Sequence, residues 1–303
     1  MSVQPEYHLA LATSAQLPGI YPDDVHLAAS LRKLGVEPIA CIWNDPAIDW
    51  SRFDAVLIRT TWDYFKRYTQ FLEWLDRLPV PTINPRPLLR WNSDKRYLLE
   101  LEQRGIDIIA SRVVAGSELG AALAAMDGHD IVVKPTVSGG AWHTLRGVAG
   151  DPVFDRASEQ LPRELDYLVQ PFVTEIVTGG EWSLLFFDGV YSHAVTKHPA
   201  RGDYRVQDDF GGHAEAREAH PSLIAAAQRA LAAVADLGHA DHAYVRVDGV
   251  VVVGRFRVME LEMIEPNLHL AHRPDAAERF ADNLLARLRR GHRDENGSPL
   301  PRG

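Results

Sequence analysis

The sequence predicts a mixed α/β and α+β protein, in which a small parallel α/β domain precedes a larger part built around antiparallel strands. Three observations indicate this. Apolar runs of strand length alternate with helical periods over residues 7–78, prolines at 79, 81, 85 and 87 then interrupt the pattern, and two later apolar runs contain Asp-Gly pairs. The predicted units are an N-terminal domain 1–88, a central subdomain 89–170 and a C-terminal subdomain 171–303.

The N-terminal domain is predicted to alternate strands with helices. We expect strands over 7–13, 37–43 and 53–60, and helices over 23–35 and 68–78. Ligands of such parallel layers bind beyond the carboxyl ends of the strands. The segments 14–24 and 59–64 leave strands at those ends. Each of them is therefore either part of a ligand site or a simple connection.

The remainder of the chain predicts further helices and strands. The expected helices cover 93–105, with Ser93 as its N-cap, 117–127, 221–238 and 275–291. The expected strands cover 111–116, 130–136, 143–149, 166–173, 181–198 and 243–266, and the last two contain Asp-Gly pairs at 188–189 and 248–249 that predict hairpin turns. Residues 292–303 are predicted to be a frayed tail.

Composition excludes several classes of function. The net charge of -9 and the absence of a basic stripe argue against nucleic acid as a partner. No apolar stretch approaches the ~18 residues that a membrane span needs, and residues 1–20 lack the pattern of a signal peptide. Cys41 is the only cysteine, so no internal disulfide can form, and we expect it to be a small core residue. The chain is predicted to be cytoplasmic.

Lys134 ends an apolar run and is followed closely by the turn Ser138-Gly139-Gly140. The familiar phosphate-binding loop has the opposite order, with glycines first and Lys-Ser or Lys-Thr last. That loop is therefore excluded, and the role of Lys134 needs another explanation.

Glu260 and Glu262 alternate within "VMELEMIEP", so both project from one face of a predicted strand. Neighbouring like charges are costly unless a cation lies between them, and Mg²⁺ is commonly shared between carboxylates and substrate phosphates. A solvated edge strand would also explain the alternation, but the apolar neighbours Leu261, Met263 and Ile264 favour a covered strand.

Zinc and hydrolase chemistry find no support. The pairs His239/His242 and His269/His272 have neither cysteine neighbours nor the HExxH arrangement. The chain also lacks the Gly-x-Ser-x-Gly element of a nucleophile elbow.

An ordered set of motifs over about residues 80–270 resembles the ATP-grasp carboxylate-amine ligases. The set comprises Lys95, Lys134 with its glycine turn, "LVQPFV", Glu181, "YVRVD" and "MELEMIEPN". Within that superfamily, "RTTWDY", "INPRPLLRWNSDKRYL", "KPTVSGGAW" and "YSHAVTKHPARGDYRVQ" most resemble the D-cycloserine synthetase family of O-ureido-serine cyclo-ligases, and glutathione synthetases are more distant. The resemblance implies an ATP-grasp fold preceded by a small α/β domain, with ATP and Mg²⁺ as cofactors.

The resemblance also implies roles around the nucleotide. Cations must converge on ATP, because phosphoryl transfer depends on positioning and charge neutralisation. The implied ATP ligands are Lys95 and Lys134 for the α and β phosphates, Lys197 for the γ phosphate, Ser138, Gly139 and Gly140 closing over the phosphates, Gln170, Pro171, Phe172 and Val173 around adenine, and Glu181 on the ribose. Gln170 stands where most members of the superfamily have an acidic residue.

The metal and substrate ligands follow in the same way. The implied metal ligands are Asp248, Glu260 and Glu262, although Glu262 stands where the family has Asn. Arg246 would stabilise the acyl phosphate and the tetrahedral intermediate. Guanidinium groups bind carboxylates and phosphates bidentately, so Arg201 and Arg205 are candidate clamps, although a solvent-facing loop is the alternative for both. The expected substrate contacts are Arg59, Thr60, Asp63, Arg201, Arg205 and Glu265.

The expected reaction forms an acyl phosphate and ADP from a substrate carboxylate and ATP, after which a nitrogen nucleophile displaces phosphate. By resemblance, carboxylate and nucleophile belong to one O-ureido-serine molecule, and ring closure with loss of the carbamoyl group yields cycloserine. Joining of two amino-acid-like substrates is the first alternative. A carboxylate kinase and a catalytically silent nucleotide-binding module are the others. Kinship also suggests a homodimer.

Overall fold

A computed structural model describes residues 4–273 and 275–291, so the predicted frayed tail lies outside the described residues. The first sheet contains β1 (Tyr7–Thr13), β2 (Val36–Ile42), β3 (Ala55–Thr60) and β4 (Thr82–Ile83) in the order β2-β1-β3-β4, and all its pairs are parallel. The crossovers contain α1 (Val25–Lys33) and α2 (Tyr68–Arg77). Every residue of β3 is buried, as expected for a parallel strand covered on both faces. The predicted parallel α/β layer is confirmed.

The connection to the next sheet differs from the predicted helix over 93–105. The structure has two short helices there, α3 (Arg86–Asn92) and α4 (Tyr97–Gln103), and Ser93 follows the end of α3. The Ser93 hydroxyl donates to the carbonyl of Arg90 at 2.6 Å, so Ser93 is a C-cap and the N-cap prediction was wrong. The break has a physical cause, because the backbone N–H of Lys95 donates to the carbonyl of Thr136 at 2.8 Å. This contact fixes Lys95 between the two helices.

The second sheet is antiparallel and carries the glycine turn. It contains β5 (Arg112–Ala115), β6 (Asp130–Pro135), β7 (Leu145–Val148) and β8 (Asp166–Pro171) in the order β5-β8-β6-β7, with α5 (Leu119–Ala124) and α6 (Pro152–Ser158) in its connections. Lys134 is paired with Leu168 across β6 and β8, and Val132 is paired with Gln170. Because the strand period is two, Lys134 and Gln170 lie on the same face of this sheet.

The third sheet has five strands in the order β11-β10-β9-β12-β13. Its strands are β9 (Glu181–Phe187), β10 (Val190–His198), β11 (His213–Arg217), β12 (Tyr244–Val252) and β13 (Arg255–Glu262). The short helix α7 (Glu175–Thr178) precedes β9, α8 (Pro221–Asp236) lies between β11 and β12, and α9 (Ala276–Gly291) follows β13. The Asp188-Gly189 turn is confirmed, since it joins β9 to β10 with positive φ at both residues.

The Asp-Gly pair at 248–249 does not form a turn, and that prediction was wrong. Asp248 and Gly249 lie inside β12, at a register shift against β13, and the turn is instead made by Val253 and Gly254 with φ of 48 and 72. A Cβ atom on Gly249 would lie 2.4 Å from the carbonyl oxygen of Arg257. The glycine therefore serves the close approach of two strands.

Helix α9 joins the first and third sheets in one core. Phe280 of α9 stacks on Phe187 of β9 with ring centroids 4.5 Å apart, and both belong to a buried cluster with Leu9 and Leu27. None of the helices within residues 4–273 and 275–291 has the length and apolar character needed to span a membrane.

Candidate active site

A cleft of ≈ 770 Å³ lies where segments from all three sheets meet. The predicted site residues that line it are Lys95, Lys134, Ser138, Gly139, Gly140, Gln170, Pro171, Phe172, Val173, Glu181, Lys197, Arg205, Arg246, Asp248, Glu260, Glu262 and Glu265. Residues far apart in the sequence are therefore brought to one concave surface. Such a surface, with a few convergent charged groups, is typical of a ligand site.

Lys95 and Lys134 form one cationic wall of the cleft, and the carboxylate of Glu260 acts on both of them. Lys95 Nζ donates to the carbonyl of Ser138 at 2.6 Å and lies 3.0 Å from Glu260 Oε1. Burial and the charge of Lys95 lower the pKa of Lys134, while the carboxylate of Glu260 opposes that shift. Among the described residues, no carboxylate lies within ion-pair distance of Lys134, so its ammonium group is available to an anion.

A second charged cluster lies on β9, β10, β12 and β13. Lys197 Nζ is 2.5 Å from Glu181 Oε1 and 3.2 Å from Asp248 Oδ2, and Arg246 Nη2 is 2.8 Å from the same Asp248 oxygen. Burial raises the pKa of the Glu181 carboxyl, and Lys197 opposes the shift. Burial also acts against ionisation of Asp248, but Arg246 and Lys197 outweigh it and hold the pKa of Asp248 well below its usual range.

The three predicted metal ligands all line the cleft, and each is engaged by a cation. Asp248 is directly opposite Glu260, and Arg246 is directly opposite Glu262, with which it forms an ion pair. Burial raises the pKa of Glu262 to about 7 despite Arg246. Over the described ranges, no three His, Cys, Asp or Glu side chains are arranged as ligands of one metal ion. The protein therefore offers oxygen donors in adjacent pairs, without a complete protein cage.

The glycine turn packs against the segment that follows β3. A Cβ atom on Gly139 would lie 2.8 Å from Phe65 Cε1, and the Phe65 and Trp142 rings are 5.4 Å apart. Gly140 has a φ of 55, and its Cβ position meets no atom within 4 Å. One glycine is thus required by close packing, and the next adopts a backbone conformation that favours glycine.

The predicted adenine segment lies at the end of β8. Gln170 Nε2 donates to Ser111 Oγ at 2.8 Å, so its amide is oriented by the residue that immediately precedes β5. Phe172 meets Tyr204 edge to face with centroids 5.9 Å apart, and the Arg146 guanidinium covers the Phe172 ring at 3.2 Å. The aromatic wall of this end of the cleft is therefore fixed from two sides.

Four predicted substrate contacts do not line the cleft. Arg59 makes a bidentate pair with Asp24 at 2.9 Å, and Asp63 accepts a hydrogen bond from Trp43 Nε1 at 2.8 Å. Thr60 is buried beside Arg59, while Arg201 is exposed. Arg59 and Asp63 are thus engaged by Asp24 and Trp43, so their placement lends no support to a substrate role. Arg205 lines the cleft and pairs with Asp203 at 2.7 Å.

Sequence reasoning missed several residues of the cleft, although all but Phe65 lie in segments that it selected. Trp62, Tyr64 and Phe65 line it from the segment after β3, and Asn267 and His269 follow Glu265. Trp62 Nε1 donates to the carbonyl of Glu265 at 2.9 Å, which joins these two segments. The aromatic residues in "RTTWDY" were the available signal, because large rings commonly line ligand pockets.

The chain is similar to known proteins over most of its length. Residues 9–84 match the family described as D-cycloserine synthetase DcsG, N-terminal domain. The chain is 38% identical over 304 residues to the cycloserine biosynthesis protein DcsG of Streptomyces lavendulae, covering 93% of this chain and 99% of that protein. It superposes on a crystal structure of D-cycloserine synthetase DcsG with a TM-score of 0.83 and 37% identity, covering 93% of this chain and 99% of that one.

More distant relatives show the wider fold. A glutathione synthetase of Prochlorococcus marinus (strain MIT 9313) is 30% identical over 62% of this chain and 56% of its own length. An ATP-grasp RimK domain protein of Sphaerobacter thermophilus DSM 20745 has a TM-score of 0.67 at 18% identity, covering 91% of this chain and 98% of that one. The predicted ATP-grasp fold is confirmed. The chain belongs to the D-cycloserine synthetase family of ATP-grasp proteins and is an ATP-dependent ligase.

Proposed function

We propose that this ligase activates the carboxylate of an O-ureido-serine-like amino acid with ATP and closes it to cycloserine. The carboxylate oxygen attacks the γ phosphorus and releases ADP. The substrate nitrogen bonded to the side-chain oxygen then attacks the acyl carbon and loses its proton, and the bond between the acyl carbon and the phosphate oxygen breaks, so that phosphate leaves. Water then cleaves the bond from this nitrogen to the carbamoyl group, which leaves as carbamic acid and decomposes to carbon dioxide and ammonia.

One observation carries the proposal: cations from three separate segments line the same cleft as the paired carboxylates of β12 and β13. Lys95, Lys134 and Lys197 are the proposed phosphate ligands. Three positive charges converging on a triphosphate supply the neutralisation that phosphoryl transfer requires. Lys134 suits this role well, because its half-buried ammonium group has no carboxylate within ion-pair distance among the described residues.

The donor set fits magnesium. Mg²⁺ usually takes one or two carboxylates and completes its shell with phosphate oxygens and water, so a complete protein cage is unnecessary. Asp248 and Glu260 are directly opposed on neighbouring strands and are the proposed principal ligands, with Glu262 beside them. Bound there, the ion would neutralise charge on the phosphates. Arg246, held by Asp248 and by the carbonyl of Asn267 at 3.0 Å, is proposed to stabilise negative charge on the acyl group.

The remaining roles follow the position of each residue in the cleft. The turn Ser138-Gly139-Gly140 is proposed to cover the phosphates, and Gln170 to Val173 to surround adenine. Glu181 is proposed for the ribose. Glu265 and Arg205 are proposed substrate contacts, because both line the cleft.

The test is an assay of the purified chain with ATP, Mg²⁺ and a panel containing both enantiomers of O-ureido-serine, serine and other amino acids. We expect ADP and phosphate to appear with one O-ureido-serine enantiomer, and cycloserine to be identified by mass. ADP formed only with two different amino acids would indicate intermolecular ligation. ADP formed without release of phosphate would indicate a carboxylate kinase, and no ADP with any compound would indicate a silent module.

A further inference from the structure

Among the described residues that line the cleft, only His269 has a buried polar side-chain atom without a hydrogen-bond partner. Eight buried side-chain nitrogen or oxygen atoms there lack a hydrogen-bond partner, and His269 Nε2 is one of them. The other seven belong to residues that do not line the cleft. His269 is 8% exposed. A buried polar atom without a partner is costly, so its presence beside a ligand site points to a ligand.

The backbone around His269 is held firmly in an unusual conformation. Its φ is 50, in the left-handed region that non-glycine residues seldom adopt. Its N–H donates to Asn267 Oδ1 at 3.0 Å, and its carbonyl accepts a hydrogen bond from His193 Nε2 at 3.2 Å. Asp23, from the first domain, accepts hydrogen bonds from the next two backbone N–H groups at 2.9 and 3.0 Å. Strain maintained by so many contacts is typical of functional sites.

The surroundings identify the part of the substrate that His269 can reach. Arg246 Nη1 donates to the carbonyl of Asn267, two residues before His269. The segment also adjoins Glu265, which Trp62 contacts, whereas the aromatic wall at Phe172 belongs to another sheet. His269 therefore lies beside the proposed acyl-phosphate ligand, on the side closed by the first domain.

The imidazole is also kept neutral. Burial, together with the positive charges of Arg246 and Lys197, lowers the pKa of His269 well below its ordinary value. A neutral imidazole offers one hydrogen-bond donor and one acceptor. It does not neutralise the negative charge of the reacting group, which is left for the nearby cations to neutralise.

We propose that His269 is a substrate-binding residue whose Nε2 forms a hydrogen bond to the amino-acid substrate next to Arg246. The proposal rests on the proposed function. The role of His269 is to orient the reacting end of the substrate, so its loss weakens binding of the amino acid and leaves binding of the nucleotide unchanged.

His269→Gly tests this, because glycine accepts the left-handed backbone and leaves a space of imidazole size. We expect kcat/KM for O-ureido-serine to fall about 10- to 100-fold, the range for one lost buried hydrogen bond, while KM for ATP stays unchanged. Added imidazole should restore part of the rate. Val253→Gly, at an exposed position with a left-handed backbone outside the cleft, is the matched control and should match the wild type.

The outcomes separate the two proposals. Cycloserine formed equally well by His269→Gly and wild type would overturn the role of His269 and leave the proposed function intact. A loss that affects KM for ATP equally, without rescue by imidazole, would indicate a merely structural residue. If the wild type forms no product, the proposed function fails, and a binding measurement then tests the role of His269. The ¹⁵N resonances of the His269 imidazole, assigned with the glycine variant, must then shift on addition of O-ureido-serine and the β,γ-imido analogue of ATP, and no shift overturns the inference.

Discussion

Asp248 and Glu260 are direct cross-strand neighbours on β12 and β13, yet different cations hold their carboxylates. Asp248 is paired with Arg246 and Lys197, while Glu260 is paired with Lys95 at 3.0 Å. Both pKa values are lowered, although burial alone would raise them. Two ionised oxygen donors therefore stand side by side, ready to share a divalent cation with a phosphate.

Glu260→Gln should abolish most of the turnover while the protein still folds. The substitution removes one anionic ligand of the proposed magnesium site, and we expect kcat to fall at least about 100-fold, as for loss of other preorganised electrostatic groups. Glutamine keeps an oxygen acceptor for Lys95, which also donates to the Ser138 carbonyl, so the protein should still fold, with a thermal unfolding midpoint lowered by loss of the buried ion pair. ADP release over a magnesium titration measures the effect. Glu278→Gln, at an exposed position, is the control, and an unchanged rate in Glu260→Gln would remove β13 from the metal site.

Glu265→Gln should change how stability depends on pH. Burial and the charge of Glu262 raise the pKa of Glu265 to about 8. The folded state therefore binds more protons than the unfolded state between about pH 4.5 and pH 8, and this carboxyl lowers the free energy of unfolding as pH rises through that window. Glutamine removes the effect. Urea unfolding at pH 5 and pH 8 should show the variant gaining stability relative to wild type at the higher pH, and a constant difference would contradict the shifted pKa.

The sequence allowed the sheets and the segments that line the cleft to be predicted, because these depend on local periodicity and on motif order. The alternation of Glu260 and Glu262 correctly indicated one strand face, for example. The Asp-Gly pair at 248–249 misled, since the contacts of Asp248 with Ser183, Arg246 and Lys197 keep it inside a strand. The contacts with Ser183 and Lys197 join residues far apart in the chain, and local pattern cannot reveal them.

The prediction for Arg59 had the same limitation. An arginine near the carboxyl end of a strand in a parallel layer suggested a substrate contact, but its partner Asp24 precedes it by 35 residues and occupies one edge of the guanidinium. His269 was considered only as half of a zinc pair. Its unpartnered nitrogen and its left-handed backbone are properties of the folded chain and leave no signature in sequence spacing.

Asp24→Ala should destabilise the protein and leave substrate affinity unchanged. The side chains of Arg59 and Asp24 are 2% and 1% exposed, so the substitution leaves a buried charge unpaired, at a cost of about 3–5 kcal/mol. Urea unfolding measures the loss, and KM for the amino acid is measured on the folded fraction. The double variant Asp24→Leu with Arg59→Met should recover much of the stability. A raised KM with normal stability would instead restore Arg59 to the substrate site.

Gly139→Ala should impair catalysis through the contact between the glycine turn and the first domain. The added Cβ would lie 2.8 Å from Phe65 Cε1, closer than van der Waals contact allows, so either the turn or the ring must move. Because Lys95 is tied to the neighbouring Ser138 carbonyl, displacement of the turn also disturbs a proposed phosphate ligand. We expect a raised KM for ATP and a lower kcat, measured by ADP release. Gly120→Ala, where the new Cβ meets no atom within 4 Å, should leave both constants unchanged. Combining Gly139→Ala with Phe65→Leu should restore part of the activity, since the smaller side chain removes the contact, and failure of this rescue would show that Phe65 does not position the turn.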